Sequence, residues 1–137
     1  MSKLEIFRDF LLHEGYRPQA HDDFLSFRHE GAYFLLPADD SDPTFFQVVL
    51  PNFWRFGTPA EAKAVRDTAA AITGSLKAVK VIAGPENVNA SFETVLTDPD
   101  AFGEVFGRAL QSLQFARMQF CAVMHARSSA ELGEDGV

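Results

Sequence analysis

Tyr33-Phe34-Leu35-Leu36 and Phe45-Phe46-Gln47-Val48-Val49-Leu50 decide the fold. Both runs are short, rich in aromatic and branched residues, and parted by Pro37 and the turn-forming run Ala38-Asp39-Asp40-Ser41-Asp42-Pro43. They read as two strands. A half-exposed antiparallel strand alternates apolar with polar residues, whereas these are apolar on both alternating faces. Either helices divide between the two faces of the sheet, or another molecule covers part of one face.

The neighbouring segments extend this pattern on both sides. Phe24 to Phe27 and Ala32 to Leu36 flank His29-Glu30-Gly31, which predicts a hairpin with a tight turn at Gly31. Together with Phe45 to Leu50 they form a three-stranded meander. Before it, Leu4, Phe7, Phe10 and Leu11 recur at three- and four-residue spacing, an amphipathic helix over Leu4 to Glu14 stopped by Gly15. After it, Thr58-Pro59-Ala60-Glu61 supplies a capping hydroxyl, a proline at the first helical position and an acid three residues on, which opens a second helix. Its inward stripe is Ala62, Val65, Ala69 and Ile72, with Gly74 as the stop.

Leu76 to Ala83 and Ala90 to Thr97, parted by Gly84-Pro85-Glu86-Asn87, predict a second hairpin. Asp98-Pro99 then begins the last helix. At about 100° per residue, Phe102, Val105, Phe106, Ala109, Leu113, Ala116, Phe120, Val123 and Met124 share one face of it. The element order is α-β-β-β-α-β-β-α, an α+β fold with a five-stranded antiparallel sheet packed with three helices. Residues 1–127 form one domain, followed by a flexible acidic tail over residues 128–137.

Composition narrows the function. The 137 residues hold 12 Lys and Arg against 19 Asp and Glu, a net charge of −7, and no basic cluster suited to nucleic-acid phosphates. Lys3, Glu5, Arg8 and Asp9 interrupt any N-terminal signal, and no stretch is long and apolar enough for a membrane span. Cys121 is the single cysteine, so no internal disulfide forms. A cytoplasmic protein is expected.

No residues with a clear chemical role emerge. Cys121 and His125 lie four apart on one helix, but without an orienting acid or an oxyanion hole. His13, His21 and His29 are scattered, and the Asp40 to Thr44 acidic turn has Phe45 where a calcium loop needs glycine. Gly103 and Gly107 sit inside a helix, so they are not a nucleotide loop. No catalytic residue, metal ligand or cofactor site is assigned, and an enzyme is not expected.

Contact surfaces are better marked. Phe115, Met118 and Ala122 gather opposite the main stripe of the last helix, either as a dimer or partner contact or because that helix is sandwiched within its own chain. Gly103 and Gly107 imply a close approach to the helix backbone, by another element of the chain or by a partner helix. Phe53, Trp54 and Phe56 follow the third strand as a further contact surface or as core.

The chain also resembles the YbjN-like family, proposed bacterial sensory transduction regulators whose fold is similar to that of type III secretion chaperones. The features that carry the resemblance begin with Glu14-Gly15-Tyr16 and the strand pair Phe24-Leu25-Ser26-Phe27 and Ala32-Tyr33-Phe34-Leu35. They continue through Phe45-Phe46-Gln47-Val48, Lys77-Ala78-Val79-Lys80-Val81 and Ala116-Arg117-Met118-Gln119-Phe120, so that together they span residues 3–125. The resemblance implies a non-enzymatic, commonly dimeric module that binds protein segments or acts in regulation. The expected function is a homodimer that holds a polypeptide partner on apolar sheet or helix surface, chaperone-like or regulatory, without nucleic acid or membrane. The alternative is a small-molecule sensor, since 14 phenylalanines could line an apolar pocket.

Overall fold

In a computed structural model that describes the backbone of residues 2–135 and the side chains through Ala130, helix α1 spans Lys3–His13. Ser2 caps it by accepting from the Glu5 amide at 3.2 Å. Beyond its end, Gly15 takes φ +93°, and the Tyr16 amide returns to the Leu11 carbonyl at 2.9 Å. Only glycine adopts that left-handed turn without strain, which is why the helix stops where the sequence predicts.

Strands β1 (Gln19–Ala20), β2 (Phe24–His29), β3 (Ala32–Pro37) and β4 (Phe45–Arg55) follow. Glu30 and Gly31 link β2 to β3 with φ of 50° and 80°. A two-residue turn with both angles positive matches the twist of paired strands. Next come α2 (Pro59–Ser75), β5 (Val79–Ala83) and β6 (Asn87–Val95). A 3-10 turn at Pro99–Phe102 then leads into α3 (Gly103–Asp135). The α2 start reads as expected: Thr58 Oγ1 accepts from the Glu61 amide at 3.1 Å, and Glu61 Oε2 accepts from the Gly57 amide at 3.3 Å.

The sheet is antiparallel throughout, in the order β1-β2-β3-β4-β6-β5. It has six strands rather than the expected five. The extra strand, Gln19–Ala20, pairs with Ser26 and Leu25, and both its residues are exposed. Two exposed residues carry no hydrophobic period, so only the pairing partner reveals them as a strand. Strand β4 also outruns its predicted end at Leu50. Its register shifts between Leu50 and Trp54, where Asn52 takes φ 52° and donates its amide to Asn89 Oδ1 at 2.7 Å. This bulge lets the strand continue through Pro51 and turns Phe53 and Trp54 toward α3.

The last helix differs from expectation at both ends. Asp98 Oδ1 caps the 3-10 turn by accepting from the Asp100 amide at 2.9 Å, and the α-helix itself starts only at Gly103. At the other end, helical backbone continues past Arg127 to Asp135, where a flexible tail over 128–137 was expected. The last two residues of that expected tail, 136–137, lie outside the described residues.

One face of the sheet carries the core. Leu25, Phe27, Phe34, Leu36, Phe46, Val48, Leu50, Val81, Ala90 and Phe92 are all buried there. Aromatic contacts tie α1 and α3 to it: Phe7 meets Phe46 at 6.1 Å and Phe102 at 4.4 Å, and Phe106 meets Phe27 at 5.6 Å between ring centroids. Helix α2 lies beside α3, with Thr68 Oγ1 donating to Met124 Sδ at 3.4 Å, and runs along the β5 edge. Of the two arrangements left open by the sequence, the helices therefore gather on one face instead of dividing between two.

Candidate binding surfaces

Strand registry defines the other face. Gln19, Ser26, Leu35, Val49, Ser91 and Lys80 form one row across all six strands. Leu35 and Val49 are partly exposed at its centre, while Tyr33 (55% exposed) on β3 and Ile82 (47%) on the edge strand β5 stand on the same face. Polar groups surround them. Gln47 donates to Ser91 Oγ at 2.9 Å, Lys80 pairs with Glu93 at 2.6 Å, and the Arg28 guanidinium lies 4.4 Å over the Tyr33 ring. This face is less apolar than the strand sequences suggest. An apolar centre with a polar rim is nonetheless the usual anatomy of a protein interface.

The residues singled out on α3 separate in space. Met118, 63% exposed, and Ala122 remain on the outer surface. Phe115, 45% exposed, instead lines a groove of about 470 Å³ with Leu76, Val79 and Arg108. Gly103 and Gly107 part company as well. A Cβ on Gly103 would stand 3.0 Å from the Phe10 ring, so α1 makes the close approach there, while nothing lies within 4 Å of a Cβ on Gly107.

Phe53, Trp54 and Phe56 pack against the core, the first two while staying partly exposed. Phe56 is buried, and Phe53 and Trp54 sit edge-on to the buried Phe120 at 5.4 and 5.6 Å. The phenylalanines in general fill the core by packing on one another. Two surface grooves each take in phenylalanine, one lined by Phe115 and the other by Phe10 and Phe106.

Cys121 and His125 lie about one turn apart on α3. Burial pushes the Cys121 thiol up, against a smaller lowering by Arg117, which disfavours its thiolate. His125 packs against Trp54 at 5.6 Å between centroids. Among the described residues, no three His, Cys, Asp or Glu side chains are grouped to hold a metal ion, and no helix is long and apolar enough to cross a membrane.

One polar cluster escaped the sequence reading. The Tyr16 hydroxyl meets His29 Nδ1 at 2.8 Å, and Glu30 accepts from Gln114 Nε2 at 3.0 Å, which ties the β2–β3 turn to α3. These residues are far apart in the chain and share no periodicity, so no local signal joins them.

The fold matches that of a solved structure, the crystal structure of YbjN from E. coli, described as a proposed transcription regulator. The match has a TM-score of 0.64 at 11% sequence identity and covers 86% of this chain and 90% of that one. The chain has the YbjN fold. An uncharacterized protein from Methanothermobacter thermautotrophicus matches too, with a TM-score of 0.56 at 9% identity over 91% of this chain and 98% of the other. No family model matches the chain, and no curated protein does. At such identities the YbjN fold is what is shared, and function must be argued from the surfaces this chain presents.

Proposed function

We propose that this chain is a non-enzymatic regulatory module that holds a polypeptide segment on the uncovered face of its sheet and acts as a homodimer. The observation that carries the reading is the one-sidedness of the fold: every helix packs on the core side or along the β5 edge, and Tyr33, Leu35, Val49 and Ile82 remain on the opposite face. An extended segment can seat alternate side chains against such a face while the Arg28, Gln47 and Lys80–Glu93 groups bond its polar atoms. The description of YbjN as a proposed transcription regulator, which concerns that protein, is consistent with a regulatory role for a shared scaffold. For the homodimer, the support is Met118 with Ala122 on the outer face of α3, away from the sheet.

Light scattering across a range of concentrations tests the dimer. The expected result is twice the 15.2 kDa chain mass, returning to a folded monomer in Met118→Glu. A monomer at all concentrations refutes that part. Screening immobilised peptides with the native chain and with Leu35→Glu tests the other part. Peptides bound by the native chain are expected to be lost by the variant, and equal binding by both refutes the sheet-face site.

A further inference from the structure

We propose that the groove between the α2–β5 connection and α3 is a binding site for a small amphiphilic carboxylate, an apolar tail bearing one anionic head. This inference does not depend on the polypeptide reading. The groove, about 470 Å³, falls within the range of about 300–1,000 Å³ usual for small-molecule sites. Its wall is divided by chemistry. Leu76, Val79 and Phe115 offer apolar surface, while Lys77, Arg108 and Ser112 offer cations and a hydroxyl.

Three features favour an anion with an apolar body. The chain carries a net charge of −7, yet no carboxylate lines this groove and both its ionisable residues are cations. Neither Lys77 nor Arg108 joins an ion pair among the described residues, so both charges are available to a ligand. The α3 contributors Arg108, Ser112 and Phe115 lie at spacings of four and three residues, which places cation, hydroxyl and ring along one side of the helix.

The connection itself is held in an unusual shape. Ala78 adopts φ 62°, a left-handed conformation that strains a residue with a Cβ. The Ala78 carbonyl is anchored by the Glu93 amide at 3.0 Å. Lys77 and Val79 are thus presented on either side of a fixed kink, one exposed and the other buried at the groove floor. Phe115, 45% exposed within the groove, becomes the wall that meets the tail.

Titration with sodium octanoate, followed by amide chemical shifts of the uniformly labelled full chain, tests the site. Saturable shifts are expected at residues 76–79 and 108–115, with affinity falling about tenfold or more in Lys77→Glu and in Arg108→Glu. Both side chains are exposed, so the variants should retain the native spectrum elsewhere, and Lys63→Glu on the exposed side of α2 should bind as the native chain does. Octyltrimethylammonium should not compete. The proposal is overturned by no saturable shift at millimolar octanoate, by shifts confined to another region, by unchanged affinity in both groove variants, or by equal binding of the cation. Binding of a leucine- and glutamate-containing peptide at these same residues in place of octanoate would also overturn it, and would assign the groove to a polypeptide.

Discussion

The Thr73 hydroxyl occupies the place of a missing strand beside Val81: it accepts from the Val81 amide at 2.8 Å and donates to the Val81 carbonyl at 3.4 Å. β5 is an edge strand, and its outward backbone groups would otherwise be open to pairing with another chain. One helical side chain thus closes the middle of that edge and fixes α2 against it. Thr73→Val keeps the shape but leaves both backbone groups without a protein partner, and should lower stability by about 1–2 kcal/mol. Urea unfolding measures the loss, and amide exchange at Val81 should accelerate in the same variant while exchange at the central strand β4 does not.

Lys3 is 4% exposed, and its Nζ donates to the carbonyls of Asp42 and Phe45 at 2.5 and 2.6 Å. Its backbone amide also donates to Asp40 Oδ1 at 2.9 Å, so the first residue of α1 fastens the β3–β4 loop. Lys3→Met preserves the buried stem and removes the donors. A loss of about 1–3 kcal/mol is expected, with increased proteolysis within residues 38–44. A Met variant as stable as the native chain would show that these carbonyls find other partners.

The two glycines of α3 should respond oppositely to alanine. Gly107 has open space where a Cβ would stand, so Gly107→Ala should stabilise by about 0.5–1 kcal/mol through helix propensity. Gly103→Ala drives a methyl to 3.0 Å from Phe10, whose ring is held at 4.6 Å from Phe102 and 5.2 Å from Phe106. The ring must shift against these two partners, and a loss of about 1 kcal/mol is expected in thermal or chemical unfolding.

Alkaline pH should weaken the fold through Cys121 and Tyr16. Burial raises both groups above their ordinary values, and Glu14 and Glu30 push Tyr16 further in the same direction. Each acid ionises more readily in the unfolded chain, so the native state holds the extra proton. Stability is therefore unaffected by these groups below about pH 8.5 and falls as pH rises through the ordinary thiol and phenol ranges. Denaturation midpoints of the native chain, Cys121→Ala and Tyr16→Phe measure this, and the variants should show a shallower alkaline decline. Iodoacetamide should alkylate Cys121 more slowly in the folded chain than in urea.

Deleting the Phe120 ring tests the aromatic joint that draws β4 onto α3. Phe120 is fully buried between Phe53 and Trp54, so Phe120→Ala should cost about 3–5 kcal/mol. Trp54 fluorescence should shift to the red as water reaches the indole, provided the variant is measured below its unfolding temperature.

Sequence by itself determined the elements whose signals are local. Thr58 and Glu61 cap a helix because a side-chain oxygen three residues from an orphan amide can reach it, and Gly15 and Gly31 take the positive φ that their turns require. The long stripe from Phe102 to Met124 follows from helical rotation alone, although Leu110 proves fully buried while Val105 and Val123 are only partly so. Tertiary structure alone decided what depends on neighbours distant in the chain. Gln19–Ala20 is a strand only because Leu25 and Ser26 pair with it, and Lys3 is buried only because the loop carbonyls receive its ammonium. Phe115 and Met118 look alike on a helical wheel, yet one lines a groove closed by Leu76 and Val79 while the other faces outward. Period and capping are properties of a few consecutive residues, whereas burial and the choice of the uncovered sheet face are set by which surfaces meet after the chain has folded.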